Sequence, residues 1–168
     1  YSPYVQNVTT VFMLLFGINF SCYYLLLLRQ FRSIFKDEEL RLYLAIVAGS
    51  ILLICLNIYH LYGNVAETLR HAAFQVGSII TTTGYATADF NLWPIAARMI
   101  ILALLFTGAC AGSTAGGMKI CRIGMMFKQG IREVRRTIQP RKVQLVRFEG
   151  KAIEDDTLHQ VAVFMFMY

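Results

Sequence analysis

The sequence predicts an all-α membrane protein, and its composition is the first reason. Of the 168 residues, 57% are hydrophobic and only 15% are charged, and the mean hydropathy is +0.52. A soluble domain of this size is less apolar. Three stretches, residues 1–28, 42–66 and 99–118, contain no Asp, Glu, Lys or Arg. Each is long enough to cross a bilayer core, which takes about 20 residues of helix.

The distribution of basic residues predicts the orientation of these helices. Four of the 16 Lys and Arg residues lie in residues 29–41 and ten lie in residues 119–151. Cytoplasmic loops of membrane proteins collect basic residues, so the first helix runs inward, the second (42–63) outward and the third inward. This topology accounts for the net charge of +6 without a nucleic-acid partner, and none is expected. The apolar run 161–168 resembles the start of another helix, which predicts a longer parent protein.

The order of residues 63–97 predicts a re-entrant loop on the outer side. The stretch AETLRHAAFQVGSII (66–80) has helix formers and an apolar face, but it would span only roughly 22 Å, too short to cross. The next residues, TTTGYAT, combine β-branched side chains, which favour extended backbone, with a glycine that permits a turn. Non-helical backbone is tolerated at membrane depth only where protein buries it or water lines it. A short helix followed by an extended strand is therefore predicted to be a pore loop.

The chemistry of such a loop suits a monovalent cation. Carbonyl and threonine oxygens along an extended strand replace the water around a dehydrated ion, and the C-terminal end of the short helix adds a partial negative charge. Asp89 follows the strand. It either raises the cation concentration at an outer mouth or is a helix-capping or solvated acid, and both interpretations stay open.

The third apolar segment is too long for one uninterrupted helix. Residues 94–127 are mostly apolar and would extend about 50 Å as a helix. The stretch CAGSTAGG has three glycines between residues 112 and 117, which is costly inside a helix and predicts a break.

Two alternatives for this glycine-rich stretch come from its spacing. Helix packing of the GxxxG type is one, since glycines recur every fourth residue at Gly108, Gly112 and Gly116. A nucleotide-binding P-loop is the other, and it fits poorly. Met118 intrudes before the lysine, and Ile120 occupies the position of the hydroxyl that would hold magnesium.

Two motifs together resemble a known family. TTTGYATADFNLWP (81–94), followed by GACAGSTAGGMK (108–119), resembles the third pore repeat of the Trk/Ktr/HKT superfamily of potassium transporters, in its bacterial TrkH-type branch. Members of that superfamily build one pore from four nonidentical repeats, each with an outer helix, a pore helix with filter strand, and a second helix. The resemblance implies three parts: residues 1–40 hold the last helix of the preceding repeat and a cytoplasmic loop, 41–137 one pore repeat, and 138–168 a cytoplasmic hairpin and the start of the next repeat.

The resemblance also implies functional residues. The selectivity filter maps onto Thr82, Thr83, Gly84 and Tyr85, with K⁺ bound at the first three. A gate loop beneath the filter maps onto the glycine-rich residues Gly112, Ser113, Thr114, Ala115, Gly116, Gly117 and Lys119. The lysine either repels K⁺ from the inner end of the loop or is an ordinary cytoplasmic-side anchor. No enzymatic activity and no covalently bound cofactor are expected, and K⁺ is the transported ion.

The resemblance predicts location and partners as well. A multi-pass protein of the bacterial inner membrane is expected, with the lipid bilayer, a TrkA-like cytosolic nucleotide-binding regulatory subunit, and a second full-length copy as partners. The basic stretch 127–140 predicts an amphipathic helix that contacts lipid phosphates or serves as a docking surface. Residues 141–156 predict a hairpin that turns at Glu149 and Gly150.

Two other functions stay open. A homotetrameric channel made of one such repeat usually carries a second glycine in its filter, as in TVGYG, whereas Ala86 follows Tyr85 here. A membrane-anchored protein whose glycine-rich loop binds phosphate is an alternative from another class. No acid, base or nucleophile constellation supports it.

Overall fold

The computed structural model describes residues 2–138, 147–148 and 151–168. Within these residues the elements are, in chain order, α1 (Pro3–Phe16), α2 (Phe20–Leu27), α3 (Phe31–Lys36), α4 (Glu38–Tyr62), α5 (Val65–Ile80), a 3₁₀ helix (Phe90–Leu92), α6 (Ile95–Thr107), α7 (Ile120–Ile138), β1 (Arg147–Phe148), β2 (Lys151–Ala152) and α8 (Asp155–Met167). Apart from the two short strands, the regular elements of the described residues are all helices, in agreement with the predicted all-α class.

Helix α4 is the central element of the fold. Asp37 caps its start by accepting the Leu40 amide at 3.0 Å, and Gly63, at φ 65°, ends it in a left-handed turn. Among the described helices it alone is long and apolar enough to cross a membrane unbroken. Its buried side chains pack against α5 and α6. The core comprises Tyr43, Val47, Ile54 and Ile58 of α4, Ala72, Val76 and Ile80 of α5, Trp93, Ala97, Ile101 and Leu104 around α6, and Ala109, Cys110, Ala115 and Ile120 between α6 and the start of α7.

The prediction of one continuous helix over residues 1–28 is wrong. Helices α1 and α2 meet at an angle of 91°, and residues 17–19 form the break between them. The Asn19 side chain accepts the Ser21 amide at 2.9 Å and so starts a new helix. At Gly17 an added Cβ would lie 3.0 Å from the Tyr43 ring and 3.1 Å from Thr81, so only glycine allows this close approach. A glycine followed two residues later by asparagine is a helix stop and start that the sequence contains.

The predicted re-entrant helix is confirmed as α5. Asn64 caps it by accepting the Ala66 amide at 3.0 Å. The third apolar segment is interrupted, as predicted, because α6 ends at Thr107 and the chain becomes helical again only at Ile120. The basic amphipathic helix exists as part of α7, which begins well before residue 127.

The predicted hairpin is present as an antiparallel pair in which Arg147 is opposite Ala152 and Phe148 is opposite Lys151. Its predicted turn residues, Glu149 and Gly150, lie outside the described residues. Phe148 packs against α7, where a Cβ on Gly124 would lie 3.1 Å from its ring.

Ion pairs fasten α7 to the rest of the chain. Lys128 binds Glu38 of α4 at 2.5 Å. Arg132 binds Asp155 of α8 at 2.6 Å, and this hydrogen bond raises the pKa of the guanidinium.

Candidate functional site

The filter segment, defined here as residues 81–87, leaves α5 through a tight turn. The amides of Thr82 and Thr83 donate to the carbonyls of Ile79 (3.0 Å) and Ser78 (2.9 Å), and Thr82 is left-handed at φ 55°. This is the Schellman arrangement, which usually places glycine at the left-handed position. The prediction of extended backbone is therefore wrong at Thr82. A β-branched residue in this conformation is rare and strained, which marks the turn as constrained by its surroundings.

The hydrogen bonds of Thr81 determine whether the Thr83 hydroxyl donates or accepts. The Thr81 hydroxyl donates to the Gly77 carbonyl at 2.6 Å and lies 2.8 Å from the Thr83 hydroxyl. A hydroxyl has one proton, and that of Thr81 is already used, so Thr83 must donate to Thr81. The remaining lone pairs of the Thr83 oxygen are then available as acceptors. Thr83 is exposed, so its oxygen can bind a cation.

The far end of the filter segment is fixed to α5 as well. The Ser78 hydroxyl donates to the Tyr85 carbonyl at 2.5 Å, and Ser78 is completely buried. The His71 Nδ1 atom lies 3.1 Å from the Thr87 hydroxyl oxygen. The His71 ring stacks on the Tyr62 ring, with centroids 5.0 Å apart. Both ends of the filter segment are therefore attached to the same short helix.

The intramembrane loop, defined here as residues 108–119, is closed at its own base. Built Cβ atoms at Gly108 and Gly117 would each lie 2.9 Å from backbone of the opposite side, and both glycines have positive φ, 66° and 79°. The Ile120 amide donates to the Ala109 carbonyl at 3.1 Å. The glycines thus allow the backbone to approach itself closely across the loop. The alternative of GxxxG packing along a continuous helix is wrong, because these residues are not helical.

The intramembrane loop touches the filter segment directly. The Gly116 amide donates to the Thr82 hydroxyl oxygen at 2.8 Å, and a Cβ at Gly116 would lie 3.0 Å from that oxygen. The strained threonine is therefore the residue through which the two predicted functional segments meet.

We expect Thr82→Ala to destabilise the protein by about 1 kcal/mol more than Thr82→Ser, the usual worth of one hydrogen bond. Both substitutions remove the branching methyl group, so their difference isolates the hydroxyl that accepts the Gly116 amide. Thermal unfolding of the two full-length variants in detergent measures it. Equal melting temperatures would show that this hydrogen bond does not hold the two segments together.

The loop also exchanges hydrogen bonds with the break at residues 17–19. The Cys110 amide donates to the Gly17 carbonyl at 3.1 Å, and the Phe20 amide donates to the Gly112 carbonyl at 3.2 Å. The Thr114 hydroxyl donates to the Phe16 carbonyl at 3.3 Å. Two interrupted helices therefore supply each other with backbone partners, which lipid cannot do.

A buried acid, Glu39, lies on the other side of the loop. Its Oε1 atom accepts the Ala111 amide at 2.6 Å.

The two charged residues that the sequence predicted to be functional, Lys119 and Asp89, each form a local hydrogen bond. The Lys119 ammonium donates to the Ala115 carbonyl, so it folds back on the loop itself. Asp89 accepts the Asn91 amide at 2.9 Å and caps the 3₁₀ helix, as the capping interpretation predicts.

The filter segment has an exposed side. Tyr85 is 61% exposed, and Thr82, Thr83 and Gly84 are exposed too. Two cavities of about 320 and 340 Å³ lie between this side and α1, and the second is lined by both Thr83 and Thr114. Thr83 and Tyr85 of the predicted filter and Thr114 of the predicted gate loop thus line one open space.

Sequence reasoning missed the residues that support this arrangement. They are Gly17, Asn19, Glu39, His71 and Ser78. The first two were detectable as a helix stop and start. A glutamate followed by an apolar stretch of membrane length was a second detectable feature, since acids there need a partner.

The chain is similar to known proteins over its whole length. A family model described as "TrkH: Cation transport protein" matches residues 1–168. The chain is 33% identical to the Trk system potassium uptake protein TrkH of Salmonella typhimurium, over 99% of this chain and 35% of that protein. It is 34% identical to the TrkH protein of Halomonas elongata, again over 99% of this chain and 35% of the relative. The chain spans about a third of the length of these relatives.

A solved structure is also similar. The crystal structure of the potassium transporter TrkH from Vibrio parahaemolyticus matches with a TM-score of 0.88 and 31% identity, covering 98% of this chain and 36% of that one.

Proposed function

The chain belongs to the TrkH family of cation transport proteins, a family of membrane transporters and not of enzymes, and we propose that it forms one repeat of a potassium-uptake pore. The filter segment selects the ion and the intramembrane loop is its gate. The observation that carries the proposal is the hydrogen bond of 2.8 Å between the Gly116 amide and the Thr82 hydroxyl, which places the loop against the filter.

The hydrogen bonding of the filter segment supports a cation site. The amides of Thr82, Thr83 and Gly84 all donate back to carbonyls of α5. With these three N–H groups engaged, residues 82–84 have carbonyl and hydroxyl oxygens to offer, and oxygens are what a dehydrated K⁺ requires. The free lone pairs of the Thr83 hydroxyl add one such ligand. K⁺ is bound at Thr82, Thr83 and Gly84 as the transported ion, and no covalently bound cofactor takes part.

One repeat provides only part of an ion's coordination. The exposed side of residues 82–85 lies beside two open cavities, which is the surface that further repeats of a longer chain would face. Asp89, exposed just beyond the filter, adds negative potential at the outer mouth.

The intramembrane loop is suited to gating because its base is closed independently of its tip. Contact between Gly108 and Gly117 holds α6 and α7 together. The tip can then move without separating the helices. Its hydrogen bonds to Thr82 and Phe16 hold it under the filter, and Lys119 stabilises it by binding a loop carbonyl.

Location and partners follow from this function. The full-length protein is a multi-pass protein of the bacterial inner membrane that acts as a homodimer. The basic residues of α7 form the face for a TrkA-like cytosolic nucleotide-binding subunit beside the lipid phosphates.

Rubidium uptake by cells that express the full-length parent tests the proposal. Uptake should exceed that of cells without the protein and should be inhibited by excess K⁺ more than by excess Na⁺. Absence of uptake in cells with confirmed membrane expression would contradict it.

A second experiment distinguishes one repeat of a larger pore from a homotetrameric channel. Residues 1–168 reconstituted alone in liposomes should carry no selective K⁺ flux, because one repeat supplies only a part of the oxygen ring. Selective flux from this fragment would instead support the homotetrameric channel.

A further inference from the structure

Glu39 lies in the first turn of α4 and is only 2% exposed. Burying a carboxylate away from water is costly, and buried charges are usually paired and hydrogen-bonded. The position at a helix N-terminus lowers that cost, because the partial positive charge of the helix favours an anion. This leaves the question of which group the side chain serves.

Glu39 hydrogen-bonds to the backbone of the intramembrane loop. Its Oε1 atom accepts the Ala111 amide at 2.6 Å, a length typical of charge-assisted hydrogen bonds. This carboxylate thus joins the first turn of α4 to a residue near the start of the loop.

The neighbouring acid shows a different arrangement. The Glu38 side chain is 34% exposed and binds Lys128, about two turns into α7. The two glutamates are adjacent in sequence, but Glu39 hydrogen-bonds to loop backbone whereas the ion pair of Glu38 is with α7. They therefore form a matched pair for experiment.

We propose that Glu39 is a positioning residue that holds the intramembrane loop in its pore-obstructing place, and we call this contact the loop latch. The loop latch rests on the proposed gating function of the loop. Because the loop base is closed by Gly108 and Gly117, breaking the latch frees the loop without separating α6 from α7. Loss of the latch therefore favours the open pore.

The test uses the full-length protein in liposomes without the regulatory subunit. Glu39→Ala and Glu39→Met remove the acceptor, Glu39→Gln keeps a neutral one, and Glu38→Ala is the control. The first readout is K⁺ flux per folded protein. The second is the rate at which a membrane-impermeant maleimide labels a cysteine introduced by Thr114→Cys. The labelling of the same Glu39 or Glu38 variant with Thr114 unchanged is subtracted as background.

We expect flux and labelling to rise about 10-fold in Glu39→Ala and Glu39→Met, since a hydrogen bond to a charged group is worth at least one such factor. Glu39→Gln should lie between them and the wild type, because a neutral acceptor is weaker. Glu38→Ala should match the wild type. A merely structural role would give lower yields and no graded rescue by glutamine.

Two outcomes overturn the latch, and they differ from failure of the proposed function. Unchanged maleimide labelling in both Glu39→Ala and Glu39→Met shows that the loop is not held by Glu39. The methionine side chain is similar in size to that of glutamate, so Glu39→Met tests the latch even if Glu39→Ala folds poorly. A rise in Glu38→Ala equal to that in Glu39→Ala also overturns it. If the wild type carries no K⁺, the proposed function fails, while labelling still decides the latch.

Discussion

Deletion of residues 114–116 raises K⁺ flux per folded protein by about 30-fold, the effect expected from losing two hydrogen bonds of about 1 kcal/mol each. The deletion removes the Gly116 amide that binds Thr82 and the Thr114 hydroxyl that binds Phe16. The deletion also removes the Gly116 carbonyl, which lies against Gly108, but the contact between Gly108 and Gly117 and the hydrogen bond from the Ile120 amide to the Ala109 carbonyl lie outside it, so the base of the loop stays closed. The measurement is flux in liposomes with and without the regulatory subunit.

A loop of unchanged length is the matched control for this deletion. Replacing Thr114 and Ala115 with glycine removes one side-chain hydrogen bond but leaves the loop backbone beneath the filter. Flux should then rise much less than in the deletion. A deletion that lowers flux per folded protein would defeat the gate hypothesis, because it would show that the loop supports the open pore.

Gly84→Ser should reduce discrimination of K⁺ over Na⁺ by about 10-fold. Gly84 has φ 80°, a conformation that costs an L-residue about 1–2 kcal/mol, so the filter backbone will shift to relieve it. A Cβ there would meet nothing within 4 Å, so the effect is one of backbone conformation and not of crowding. The ratio of K⁺ to Na⁺ flux in liposomes measures it.

Gly63→Ser provides a control with the same local cost. Gly63 has φ 65°, and its added Cβ would also meet nothing within 4 Å, but it ends α4 outside the filter. Both variants should lose similar stability, and only Gly84→Ser should lose selectivity. If the two variants keep the same ion ratio as the wild type, Gly84 is not part of the filter.

The sequence was informative where apolar length and glycine content decide structure. The 16 residues of α5 are too few to cross a bilayer, and the three glycines between residues 112 and 117 are too costly for a helix, so both features were predictable. The break at residues 17–19 was missed because its neighbours are apolar and uncharged. Gly17 and Asn19 mark a helix stop and start, but the packing of Gly17 against Tyr43 and the hydrogen bonds to the loop that favour the bend are contacts between distant residues.

Contacts between distant residues could not be predicted from local patterns. Glu39 and Ala111 belong to different elements, and nothing near either residue in sequence indicates their pairing. The left-handed turn at Thr82 contradicts the preference of a β-branched residue, so tertiary contacts override propensity there. Such local exceptions are most common at functional sites.

The exchange of hydrogen bonds between residues 17–20 and 110–112 has a consequence for biosynthesis. The Gly17 carbonyl and the Phe20 amide find their partners only after the second half of the chain has been made. Until then a straight helix is the favoured conformation of the apolar segment that contains them, because a bent helix would leave polar backbone groups facing lipid. We expect the nascent chain to enter the bilayer as a simple span and to acquire its right-angle bend late, when the returning loop docks.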